Sequence, residues 1–298
     1  MAVLAVVGVT TACGGSAGIA EPDALVADAS VVTSAEATAP DCDALSADTT
    51  APPDLALSTV IDAETLRTAE DLLVAELVVG EGCVVHADDI VVFSFLSQNP
   101  PDDQEFHNTW KGDAQFMGPQ RVIAGVPRVF AGMDDALIGM HVGGERIVGI
   151  PPAIGWGESG LLVRIHLHEV VPAPFAHTAQ FAGDAPTETQ ITTVIDGSGD
   201  AAEFGDTLVA NLVERVFSDG RISGPSSWEM GRPREFELLE SEADPLFSGA
   251  VGIRPGELRE IIVPTSVLFP DGDDAAAFGL ADDDAFVYFL EAVEVIKG

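Results

Sequence analysis

Apolar residues recur along this chain with two periods, and the switch between them marks its elements. Runs of β-branched and aliphatic residues with partial alternation predict strands near 73–79, 89–96, 145–150 and 162–170. Ahead of the third run, Met133, Ala136, Leu137 and Met140 fall at i, i+3, i+4 and i+7, the apolar stripe of a short helix over 134–140. Gly143 follows as a natural stop, because glycine tolerates the positive φ that ends a helix. One short helix among several antiparallel strands predicts an α+β domain, with the helix lying against a curved sheet.

The pattern then returns in the same order. Gly139, Met140, Gly143, Arg146, Pro151 and Trp156 are matched 113 positions on by Gly252, Ile253, Gly256, Arg259, Pro264 and Phe269. LVVGEG at 77–82 is echoed by TVIDGSG at 193–199, and ADDIVVFSF at 87–95 by GDTLVANLV at 205–213. Thr109-Trp110 is echoed by Ser227-Trp228, and a second short helix is predicted over 247–253 with Gly256 as its stop. A repeat this long is a tandem domain duplication rather than a solenoid. The reading places a first domain at 61–172, a Pro-, Ala- and Thr-rich linker at 173–189 and a second domain at 190–298.

The first 13 residues, MAVLAVVGVTTAC, are apolar but too short to span a bilayer, which takes about 20 residues. They read as the hydrophobic part of an export signal. Thr11-Ala12-Cys13 followed by Gly14-Gly15 resembles the lipobox of bacterial lipoproteins, although Thr10 stands where an aliphatic is usual and no Lys or Arg precedes the run. Cleavage there leaves Cys13 as a lipid-carrying N-terminus. Residues 14–60 are rich in Ala, Ser, Thr, Asp and Pro without periodicity, so they read as a disordered tether. Cys42 and Cys83 remain; pairing in an oxidising compartment and two separate thiols are equally open.

Charge changes the picture of partners. Lys and Arg number 13 against 49 Asp and Glu, a formal charge of -36, so nucleic acid and anionic membrane surfaces are repelled. Membrane attachment is therefore expected only through the lipid on Cys13. His166 and His168 share one face of a predicted strand but lack a third ligand, so they read as exposed strand histidines rather than a metal pair. The acidic stretch 271–284 lacks the spacing of a calcium loop and reads as a solvated loop over the second pocket. No triad order is present for hydrolase chemistry.

VFAGMDDALIGMHVGGERIVGIPPAIGWGESG resembles the FKBP-type peptidyl-prolyl cis-trans isomerase pattern: an aliphatic pair, x-Gly-Trp, a helix ending Leu-x-Gly-Met, x-Val-Gly, a strand, Ile-Pro-Pro, then Tyr-Gly. GDTLVANLV and VYFLEAVEVI are similar to the family's opening and final strands. The resemblance implies two tandem FKBP-like domains, each a twisted antiparallel sheet wrapped around one short helix, and catalysis of cis/trans rotation about X-Pro bonds. It implies no cofactor and no metal. An amide's barrier of ~18–20 kcal/mol comes from resonance lost on twisting, and a dry pocket favours the twisted, less polar form.

Residue by residue, the resemblance puts Phe106 on a wall of the proline pocket and His107 where the family carries Asp. Val129 and Phe130 take the aliphatic pair, with the Phe130 amide donating to a substrate carbonyl. Met133 replaces the Trp of the pocket floor, and Trp156 replaces a Tyr. Ile165 supplies an inward side chain of the last strand. In the second copy Leu246, Phe269 and Tyr288 mark a degenerate pocket, and the Phe-Asp pair is lost within RISGPSSW. The expected protein is an exported monomer, lipid-anchored to the outer face of the membrane or else secreted and soluble. It acts on proline-containing segments of unfolded or exported proteins. The rival expectation is a non-catalytic chaperone or peptide-binding scaffold using the same pockets.

Overall fold

Two antiparallel sheets are built from the two halves of the chain. The computed structural model describes Cys42 and residues 54–113, 115–126, 128–155, 157–173, 184–240, 245–270 and 275–298. The first half forms β1 (Leu73–Val78), β2 (Ile90–Asn99), β3 (Gln104–Asn108), β4 (Gln120–Ile123), β5 (Glu145–Ile150) and β6 (Leu161–Val171). Their order is β1-β5-β6-β2-β3, with β4 also paired to β2. The second half forms β7 (Gln190–Ile195), β8 (Thr207–Val216), β9 (Arg234–Glu237), β10 (Leu258–Pro264) and β11 (Ala285–Ile296), ordered β7-β10-β11-β8-β9. The two orders superimpose, except that no strand of the second sheet corresponds to β3 among the described residues.

Each sheet cradles one short helix, α2 (Met133–Leu137) in the first half and α3 (Pro245–Ala250) in the second. The stripe Met133, Ala136, Leu137 and Met140 is buried as its spacing requires. The helix ends at Leu137, short of the predicted 140. Arg146 explains the early end, because its Nη1 takes the carbonyls of Ala136 and Ile138 (3.2 Å to the latter). In the second half the Arg259 Nη1 takes the carbonyls of Gly249 and Val251 at 2.8 Å each. All three positions stand 113 residues after their first-half counterparts.

The duplication is also visible in other small devices. Thr109 Oγ1 accepts the Phe95 amide at 2.8 Å, as Ser227 Oγ accepts the Leu212 amide at 2.6 Å. Gly80 and Gly197 each lie where a Cβ would meet a carbonyl oxygen, of Val142 at 2.2 Å and of Arg254 at 2.6 Å. Both positions accept only glycine because the chain crosses another strand of backbone there.

Three expectations are corrected. Residues 54–60 are not part of a disordered tether: Leu57 sits in a 3-10 turn and is fully buried. Together with Ile61 and Leu66 it covers Ile147 and Leu162 on the outer face of the first sheet. Leu66 belongs to α1 (Ala63–Thr68), capped by Asp62, which accepts the amides of Glu64 and Thr65 at 3.1 and 3.0 Å. His168 is not an exposed strand residue. The β2–β6 register shifts between Val92 and Phe93, which leaves His168 as the extra residue of a bulge, on the same face as His166 with the two rings 4.8 Å apart. His168 is 1% exposed, hydrogen-bonded to Ser94 Oγ at 2.9 Å, and burial pushes its pKa down to about 4. Finally, a third and a fourth helix, α1 and α4 (Thr265–Leu268), accompany the two that periodicity predicts.

Cys42 and Cys83 form a disulfide with a Cα–Cα distance of 4.8 Å, resolving the open choice in favour of pairing. Residues 1–41, including Cys13, lie outside the described residues, and among those described no helix is long and apolar enough to cross a membrane.

The shared arginine device sets a test of the repeat. Arg259→Ala removes the donor of two helix carbonyls and the partner of Glu257, whose Oε1 lies 2.6 Å from Nε. Truncation of either Arg146 or Arg259 is expected to cost about 2–4 kcal/mol in urea unfolding. A loss below about 0.5 kcal/mol for either one, the range of ordinary surface changes, would contradict this role.

Candidate active site

The inner face of β2 presents Phe93 and Phe95, two residues apart and therefore on the same side. Both are fully buried. The Phe95 ring meets Phe116 edge-on at 5.1 Å and Phe130 edge-on at 5.5 Å. Phe116 comes from the loop between β3 and β4, which is shaped by Asp113. Oδ1 of that carboxylate accepts the amides of Gln115 and Phe116 at 2.7 Å each, and Oδ2 accepts Nδ1 of His107 at 2.8 Å. These bonds, the Phe116 amide foremost, hold the Asp113 pKa down to about 2.

His107 roofs the aromatic cluster. Its ring stacks on Phe130 at 6.0 Å and 22°, and meets Phe116 edge-on at 4.8 Å. Because Asp113 takes Nδ1, the Nε2 edge is the one left to face a ligand. The position that lacks the family's carboxylate thus carries an imidazole oriented by a carboxylate six residues on. The β2–β3 register shifts between Ser97 and Gln98, which places Phe106 at the bulge of β3. Its ring lies 4.2 Å from His107 and is 43% exposed at the rim.

Val129 is half-buried, and Phe130 is 4% exposed. Met133 and Ile165, expected on the pocket floor and wall, are completely buried beneath the rings. Phe106, His107 and Val129 therefore form the accessible rim of the cluster, with Phe130 and Met133 behind them. Trp156 lies outside the described residues. Sequence reasoning passed over Phe95, Phe116 and Asp113. The alternation of Phe93 and Phe95 is a readable signal for the first of these, whereas Phe116 and Asp113 sit in an aperiodic loop.

The loop carrying Val129 and Phe130 is tied to α2 by Asp134, whose Oδ1 accepts the Arg128 amide at 3.3 Å. Oδ2 of the same group is buried without a hydrogen bond, and burial raises the Asp134 pKa to about 7.

In the second half, Leu246 lines a small apolar cleft with Leu208, Phe236, Leu238, Phe247 and Leu290. Phe269 instead stacks on Phe278 at 5.3 Å, and Tyr288 packs beside Phe286 at 5.9 Å. Register explains the difference. Ile165 pairs with Phe95 and Arg146, while Leu290 pairs with their counterparts Leu212 and Arg259. Leu290, rather than Tyr288, is the second domain's equivalent of Ile165.

The sequence profile of the FKBP-type peptidyl-prolyl cis-trans isomerase family matches residues 83–172, the segment that holds every ring of this cluster. A curated relative from Streptomyces anulatus, an FK506-binding protein, is 28% identical over 115 residues, covering 38% of this chain and 90% of that protein. The mouse peptidyl-prolyl cis-trans isomerase FKBP9 is 32% identical over 98 residues, 32% of this chain but only 16% of that relative's length. The crystal structure of the three FKBP domains of wheat FKBP73 is similar at 14% identity and a TM-score of 0.34, covering 76% of this chain and 95% of that one. The sequence likeness thus lies in the segment that holds the ring cluster: residues 83–172 are similar to the FKBP-type peptidyl-prolyl cis-trans isomerase family.

Proposed function

We propose that the first domain catalyses rotation about X-Pro bonds in exported proteins, at a reduced rate. The observation that carries this reading is the contact of His107, Phe116, Phe130 and Phe95 within the segment that matches the family. A proline ring seated against Phe106 and Phe130 leaves water, and the desolvated amide loses less on twisting than it does in water. His107, fixed by Asp113, offers one polar contact to a flanking peptide group. The rate is reduced because Met133 and Ile165 are covered, so opening of the cluster precedes binding. The second domain contributes no catalysis in this reading: among the described residues, its sheet has no counterpart of the strand that carries Phe106 and His107.

Export to the outer face of the membrane, with Cys13 as lipid anchor, completes the proposal; secretion in soluble form is the alternative. The Cys42–Cys83 disulfide supports an oxidising compartment. The protein acts as a monomer on proline-containing segments of unfolded or exported chains. A second reading, a non-catalytic chaperone or scaffold, is favoured by the covered Met133 and by the apolar cleft around Leu246.

A prolyl isomerisation assay on the full chain separates the two. Wild-type protein is expected to exceed the uncatalysed rate, and Phe130→Ala to lower kcat/KM by roughly tenfold or more. Wild-type rates equal to background, with unfolded clients still bound, would establish the scaffold instead. For the anchor, incorporation of labelled fatty acid is expected in wild-type cells and absent from Cys13→Ala; equal labelling of both would overturn it.

A further inference from the structure

We infer that the second domain is a positioning jaw for the first domain's pocket loop, acting through Glu229 on Arg128. Arg128 immediately precedes Val129 and Phe130. Its guanidinium binds Glu229 through two nitrogens, Nε to Oε1 at 2.9 Å and Nη2 to Oε2 at 3.2 Å, and Nη2 also donates to the Gly224 carbonyl at 2.6 Å. The same carboxylate is fixed from behind by the Ser226 amide at 3.0 Å on Oε2, and its side chain is only 9% exposed. A planar fork against a held carboxylate is a directional contact, unlike a mobile surface pair.

The backbone of Arg128 is held from the opposite side, its amide donating to Asp134 of α2. The residue before the pocket pair is therefore fixed at its main chain by the first domain and at its side chain by the second. Arg121 on β4 adds a parallel tie, Nε donating to the Trp228 carbonyl at 2.8 Å.

The segment that grips is informative. Ser227 bridges β8 as Thr109 bridges β2, so residues 224–229 stand where the first domain carries Phe106 to Lys111. The second copy lost its own pocket rim in this segment, and the vacated stretch now holds the neighbouring domain's pocket loop. The loss of the Phe-Asp pair within RISGPSSW is thus a change of use rather than decay. This inference rests on the isomerase reading for its catalytic consequence, but the grip itself does not.

Hydrogen exchange and isomerisation on the full chain test both parts. Glu229→Ala is expected to raise amide exchange across 128–132 roughly tenfold while the amides of β6 and β11 stay protected, as a local opening requires. Catalytic efficiency is expected to fall about fivefold, with Arg128→Lys, which keeps the charge and loses the fork, intermediate. Should Glu229→Ala fail to fold, Arg128→Lys alone carries the same comparison. Unchanged exchange at 128–132 overturns the grip. Raised exchange with unchanged kcat/KM, in an active wild-type enzyme, overturns its role in catalysis. A wild-type chain without isomerisation would remove the enzymatic reading, and the exchange result would then decide the grip by itself.

Discussion

An apolar seam between the two sheets is the contact on which the rest of the molecule depends. One face of β11, with Phe286, Tyr288 and Leu290, closes over α3. The other, with Val287 and Phe289, packs with Val213, Phe217, Trp228 and Leu258 against Ile90, Ile123 and Ala173 of the first half. Burying each large side chain is worth about 2 kcal/mol, so a second domain alone would expose a continuous hydrophobic face. The first sheet solves the same problem with residues 54–68, whose Leu57, Ile61 and Leu66 cover its outer face. Beside the seam, Arg215 is buried against Asp88 across the domains at 2.6 Å. Such a pair is costly to break, because one buried charge is left unmatched.

Duplication followed by division of labour accounts for what the two copies keep and lose. Both keep the parts that hold a helix against a sheet: the arginine that caps the helix carbonyls, the hydroxyl that bridges the second strand, and the glycine at the backbone crossing. They differ where a ligand would be met. The first copy has β3 with Phe106 and His107; the second has in that place a segment turned toward its neighbour. Core geometry answers to packing in every copy, whereas a rim answers only to what it touches.

Much of the fold was legible in the sequence because its signals are local. The helix stripe at Met133 to Met140, the strand over 145–150 and the repeat in register all rest on periodicity. What stayed hidden depends on contacts distant in the chain. His168 lies on the face that alternation assigns it, yet it is buried at a bulge beside Ser94, and alternation cannot anticipate what covers a face. Leu57 lies in a stretch whose composition reads as tether, yet it is buried because the outer face of the sheet needs covering. The rings of Phe106, His107 and Phe130 lie together where the resemblance put them, while Phe95 and Phe116, which it did not supply, pack against them. Asp113 restored a carboxylate to the site from a loop position with no periodic signal.

If the seam makes one body of two domains, neither sheet can melt while the other stays folded. Differential scanning calorimetry of the full chain measures this through the ratio of calorimetric to van't Hoff enthalpy. A single transition with a ratio of about one is the expected result. Two resolved transitions, or a ratio near two, would show domains that unfold independently and would contradict the seam as the governing contact.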